Sequence, residues 1–96
     1  MKVYIVFIGG FPKRRRGLKE WVQPQIRILQ EEKILTVGMD YDKGLAMACF
    51  AEINQAKRAR NRLMTEGYSC ADFLCEGELS GDRKRLEVTA EADDSL

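Results

Sequence analysis

From Val3 to Ile8 the residues Val3-Tyr4-Ile5-Val6-Phe7-Ile8 form an unbroken apolar run, mostly β-branched or aromatic, that Gly9-Gly10 brings to an end. That is the pattern of a central strand with at least one covered face. Past the basic stretch Pro12 to Arg16 the period lengthens, and Leu18, Trp21, Val22, Ile26 and Leu29 fall at helical spacing. Pro24 interrupts that helix, so either a kink or a restart with Pro24 in the first turn is expected.

Ile34 to Met39 and Leu45 to Phe50 read as two further strands, joined through the turn-forming cluster Asp40-Tyr41-Asp42-Lys43-Gly44 into a hairpin. Asn54 is a candidate cap for a second helix with Ala56, Ala59, Leu63 and Met64 on its inner face. Lys57, Arg58, Arg60 and Arg62 read as its solvated side, and Gly67 as its stop. Residues 68–79 fit a loop or a strand. Ser80-Gly81-Asp82 marks a turn, and Leu86, Val88 and Ala90 alternate along a last strand. The expected order is therefore strand, helix, strand, strand, helix, strand. This is an α+β, ferredoxin-like (βαββαβ) sandwich, a four-stranded antiparallel sheet with two helices on one face and the other face open. Residues 1–91 are expected to form one domain and 92–96 a short acidic tail.

At 96 residues the chain has room for one core, and its apolar runs are too short for a membrane helix. The net charge of +1 conceals a division: residues 1–70 carry 13 basic and 7 acidic side chains, and residues 71–96 carry 3 and 8. A basic front permits a polyanion-binding surface. The three cysteines cannot form a closed set of disulfides, and Cys70-x4-Cys75 is not a zinc spacing, so a reducing, intracellular setting (cytoplasmic or nuclear) is expected. The absence of histidine removes the usual general base and the Ser/His and Cys/His nucleophile pairs. Asp40 and Asp42 are ordinary turn formers rather than metal ligands. The chain is not expected to be an enzyme or to hold a cofactor or metal.

Within this order, Lys43-Gly44-Leu45-Ala46-Met47-Ala48-Cys49-Phe50 resembles the longer signature of the RNA recognition motif family, and Val6-Phe7-Ile8-Gly9-Gly10-Phe11 its shorter one. The 31 residues between Phe11 and Lys43 match the family's usual interval, and Gly81 to Val88 resembles its entry into the final strand. The resemblance implies a domain that binds single-stranded RNA on its open sheet face, where bases stack on aromatic side chains. Phe7 would stack a base. Leu45 and Met47 stand where the family places two more aromatics, and would give apolar contact. Lys43, Arg14, Arg15, Arg16 and Arg85 would neutralise phosphates. The alternative is that something covers Ile5, Phe7, Leu45 and Met47, either a stretch such as Ala71 to Leu79 folded over the sheet or a second protein; in the latter case the chain is a protein-interaction module of the same kind, self-associating or inhibiting a larger complex through an apolar sheet face.

Overall fold

The computed structural model describes residues 1–10, 18–40 and 42–92, the side chains of 18–22 excepted. Its elements in chain order are β1 (Lys2–Ile8), α1 (Leu18–Glu31), β2 (Thr36–Asp40), β3 (Leu45–Phe50), α2 (Ile53–Thr65), β4 (Cys70–Leu79) and β5 (Leu86–Glu91). They form one open antiparallel sheet in the order β2-β3-β1-β4-β5.

This corrects the expected four-stranded βαββαβ scheme. The place beside β1 is taken by Cys70–Leu79, and the strand read at residues 86–90 is a fifth one, paired among the described residues with β4 alone. The physical reason lies in β4. Its register slips between Val6 and Ile8 on the β1 side and between Glu76 and Gly77 on the β5 side, so the period-2 alternation that marks a strand is broken twice.

The alternation of β1 and β3 follows the sequence pattern. Val6, Ile8, Ala46, Ala48 and Phe50 face the helices, where Ile28 and Leu29 of α1 and Ala56, Ala59 and Leu63 of α2 close over them. Here α1 continues through Pro24 without a break. It ends with Lys33 at a positive φ of 65° while the Ile34 N–H donates to the Leu29 carbonyl, a left-handed cap without glycine. At the end of α2 the same role falls to Gly67, whose φ of 84° suits a residue lacking Cβ. The N-cap of α2 is Glu52 rather than Asn54, with the Gln55 side chain accepting from the Glu52 N–H at 3.2 Å. Met64, expected inside, is exposed. The basic side of α2 is not simply solvated: Arg58 pairs with Glu32 at 2.9 Å, and Arg62 pairs with Glu31 and Glu32, joining the ends of the two helices. Ala92, the first residue of the expected tail, is buried and donates its N–H to the Leu74 carbonyl.

The face away from the helices is also filled. Val3, Ile5, Cys49, Cys75 and Leu79 are buried there, with Phe7, Leu35, Met47 and Leu86 packed around them. A rolled sheet explains this. Arg83, in the turn before β5, donates from Nη1 to the carbonyl of Leu35, just ahead of β2, at 3.4 Å. The strands β2 and β5 are four spacings apart, about 19 Å in a flat sheet, so the hairpin of β4 and β5 must curl over this face for the contact to form. Gly77 permits the curl: a Cβ there would lie 2.7 Å from the Glu87 carbonyl oxygen and 2.8 Å from Ile5 Cδ1.

Candidate functional site

The roll leaves one end of the sheet uncovered, at the last residues of β1 and the first of β3. Phe7 lies there, half-buried and directly opposite Met47. Met47 in turn lies opposite Gly38 on β2, so its other flank meets no side chain from that position. Leu45 follows two residues earlier on β3, half-buried and opposite Asp40. Lys43 is exposed in the β2–β3 turn, where its N–H donates to Asp40 Oδ1 at 3.2 Å. The structure thus brings Phe7, Leu45, Met47 and the Lys43 turn to one end.

Arg85 does not join them. It belongs to the β4–β5 turn, which meets β1 at Met1: the Leu79 N–H donates to the Met1 carbonyl, and Ser80 to the Arg85 carbonyl. Six residues of strand, about 20 Å, separate that turn from Phe7. Arg14, Arg15 and Arg16 lie outside the described residues.

A second aromatic that the sequence reading left in an unassigned segment completes the surface. Two pairing partners of β1, Val6 and Ile8, face Leu74 and Cys70 of β4, so three residues of β4 span the place opposite Phe7. This bulge carries Phe73 onto Phe7, with ring centroids 5.7 Å apart and planes tilted by 40°, a favourable aromatic arrangement. Arg60 of α2 holds the bulge by donating from Nη1 to the Asp72 carbonyl at 3.0 Å. Phe73 is nonetheless 44% exposed. The signal for it was the apolar triplet Phe73-Leu74-Cys75, which exceeds what a solvated loop needs.

The cysteines are held toward the thiol form. All three are free thiols. Burial pushes Cys49 and Cys70 up to about 11, and raises Cys75 with help from the nearby Glu91 carboxylate, so thiolate is scarce at neutral pH. Cys49 and Cys75 flank Ile5 on either side. Two strand spacings, about 10 Å, are too wide for a disulfide. Among the described residues no three His, Cys, Asp or Glu side chains gather as metal ligands, and no helix is long and apolar enough to cross a membrane. Compared with known proteins, the chain matches no family model, no curated sequence and no solved structure.

Proposed function

We propose that the chain is a binding module, not an enzyme, that takes single-stranded RNA at the uncovered end of its sheet, as its resemblance to the RNA recognition motif implies. The observation that carries this reading is the ring pair Phe7 and Phe73 beside Met47. In the sequence, Leu45 and Met47 replaced two of three expected platforms. Phe73 restores one of them from β4, and each stacked base contributes about 1–3 kcal/mol. Lys43 lies at the same end, and four cations, Lys13 to Arg16, follow Gly10 within six residues. By contrast Arg58 and Arg62 are engaged with Glu31 and Glu32, which argues against a polyanion site on α2.

The second reading, a protein partner or a second copy on the same face, draws support from the half-exposed aliphatic pair Leu45 and Met47, the latter directly opposite Phe7. Titrating a dye-labelled, randomised short RNA pool and following anisotropy separates the two. RNA held by Lys43 and the three arginines at four phosphates gives a log–log salt slope of about −3, roughly a 50-fold loss between 50 and 200 mM salt. No binding even at low salt, together with a concentration-dependent dimer, overturns the RNA reading in favour of the second.

A further inference from the structure

The sheet ends in two edge strands that are built differently. Among the described residues β5 pairs with β4 alone and β2 with β3 alone. An open edge is a template for another strand unless a bulge or charged side chains spoil it. On β5 both devices are present. Its register slips between Glu76 and Gly77, where the pairing steps from Ala90 to Val88 and leaves Thr89 between them, and Glu87 and Glu91 add two carboxylates. On β2 the register with β3 runs unbroken from Thr36 opposite Cys49 to Asp40 opposite Leu45. Thr36-Val37-Gly38-Met39-Asp40 contains no lysine, arginine or proline, and its one charge, Asp40, stands at the last position. All five residues are half-buried. The usable edge begins at Thr36, because Leu35 donates its N–H to the Cys49 carbonyl at 2.8 Å while its own carbonyl accepts from Arg83. It ends at Asp40, which enters the turn to β3 by accepting from the Lys43 N–H.

We propose that two copies of this chain join edge to edge through β2, antiparallel about a two-fold axis at Gly38, each contributing its five strands to one continuous sheet. The strand itself selects this occupant, since it is complementary to its own copy in that register. An axis normal to the sheet sets residues of the same face opposite one another. Val37 and Met39, which pack on the helix side, then form two apolar pairs, Val37 with Met39 of the second copy and Met39 with its Val37. On the other face each Asp40 carboxylate meets a Thr36 hydroxyl, and Gly38 meets Gly38. A centre at Val37 would need the backbone groups of Leu35, which are taken, and a centre at Met39 would run the pairing into the β2–β3 turn. Outward backbone groups alternate along a strand, and whichever set points outward is satisfied here, because residue 37 pairs with 39 and residue 36 with 40. The axis keeps both helix layers on one side and both Phe7–Met47 surfaces on the other, with the two β1 strands five spacings, about 24 Å, apart in a flat sheet. This dimer uses a different surface from the Leu45–Met47 face and does not depend on what binds at Phe7.

A cysteine on the axis tests the register. Among the described residues a Cβ at Gly38 meets Met47 Cε alone, at 3.6 Å, so Gly38→Cys fits the strand. Directly opposed residues of antiparallel strands lie about 4.5–5.5 Å apart between Cα atoms, within disulfide reach. The full-length parent, Gly38→Cys and Val88→Cys proteins are oxidised and read on a non-reducing gel. The parent gives the baseline of the native thiols, and Val88→Cys places a cysteine at an exposed position of the other edge. A linked dimer is expected to accumulate for Gly38→Cys ahead of both. Sedimentation equilibrium from about 10 µM to about 1 mM, the range of a small interface, should show the parent doubling its mass. The charge at position 36 provides a test that leaves the axis unchanged. Thr36→Asp sets two carboxylate pairs across the axis and weakens the dimer about 2- to 30-fold, whereas Thr36→Lys sets two opposite-charge pairs and strengthens it by a similar factor. A parent that stays monomeric throughout, linking at Val88 rather than at Gly38, or shifts of the same sign for both Thr36 variants overturns the β2 dimer.

Discussion

Replacing Gly77 by alanine tests whether the sheet is rolled as described. The added Cβ would stand 2.7 Å from the Glu87 carbonyl oxygen, 2.8 Å from Ile5 Cδ1 and 3.4 Å from Leu86 Cδ1. The first obstacle is backbone, so β5 has to withdraw from β4. The second is a side-chain end, but Ile5 is fully buried between Cys49 and Cys75 and has no free space to turn into. Overpacking of this kind costs roughly 1–3 kcal/mol, against which alanine recovers about 0.4–1 kcal/mol by restricting the unfolded chain. The expected net loss is about 1–2 kcal/mol, a large part of the 5–15 kcal/mol typical of a domain this size. The Tm should fall by roughly 4–15 °C. Gly81 is the control, since a Cβ there meets nothing within 4 Å. Gly81→Ala should leave stability unchanged or raise it by up to about 1 kcal/mol. Urea denaturation followed by circular dichroism measures both. A Gly77→Ala protein as stable as the parent would refute the close approach of β5 to β4, and with it the roll.

Lys33→Gly should stabilise the fold by about 0.5–1 kcal/mol in the same assay, because Lys33 closes α1 at φ 65° where glycine carries no Cβ penalty. Glu32 accepts from Arg58 and Arg62, its side chain is only 14% exposed, and the Arg58 hydrogen bond holds its carboxyl below the usual range. A depressed carboxyl contributes stability that is present above the unfolded value near 4.3 and is lost as pH falls through the lower folded value. Glu32→Gln should therefore flatten the loss of stability as pH falls below the unfolded value, and an unchanged acid limb would count against the pairing. Phe73→Ala should weaken RNA binding by about 1–3 kcal/mol without changing its salt slope. Phe7→Ala should do the same and also cost about 1–2 kcal/mol of stability, less than the 3–5 kcal/mol of a fully buried ring, since Phe7 is half-buried against Met47.

The elements whose patterns are local were legible. The apolar run of β1, the phase of Ala46, Ala48 and Phe50, and the stop at Gly67 each follow from neighbouring residues. The fourth strand was not, because two register slips scramble its alternation and Glu76 and Glu78 intrude on it. The strand count and sheet order went wrong there, and Phe73 was missed with them. The filling of the second face was legible only as an alternative, for a different reason. Alternation indicates which side chains share a face, here Ile5, Phe7, Met47 and Cys49, but whether that face meets solvent depends on the Arg83–Leu35 contact between residues 48 apart. Of the candidate site, Phe7, Lys43, Leu45 and Met47 came together because they border one end of two paired strands. Arg85 was assigned by its charge and its place at the entry to the last strand, and the hairpin carries it to the opposite end.

The most direct test of the binding reading is amide chemical-shift mapping while a randomised short RNA pool is added to the free protein. The account predicts that perturbations concentrate on Phe7, Gly38, Lys43 to Met47 and Phe73, with little change at Ser80 to Arg85 or along α2. Shifts confined to α2 or to the β4–β5 turn, or no shifts at low salt, would contradict it.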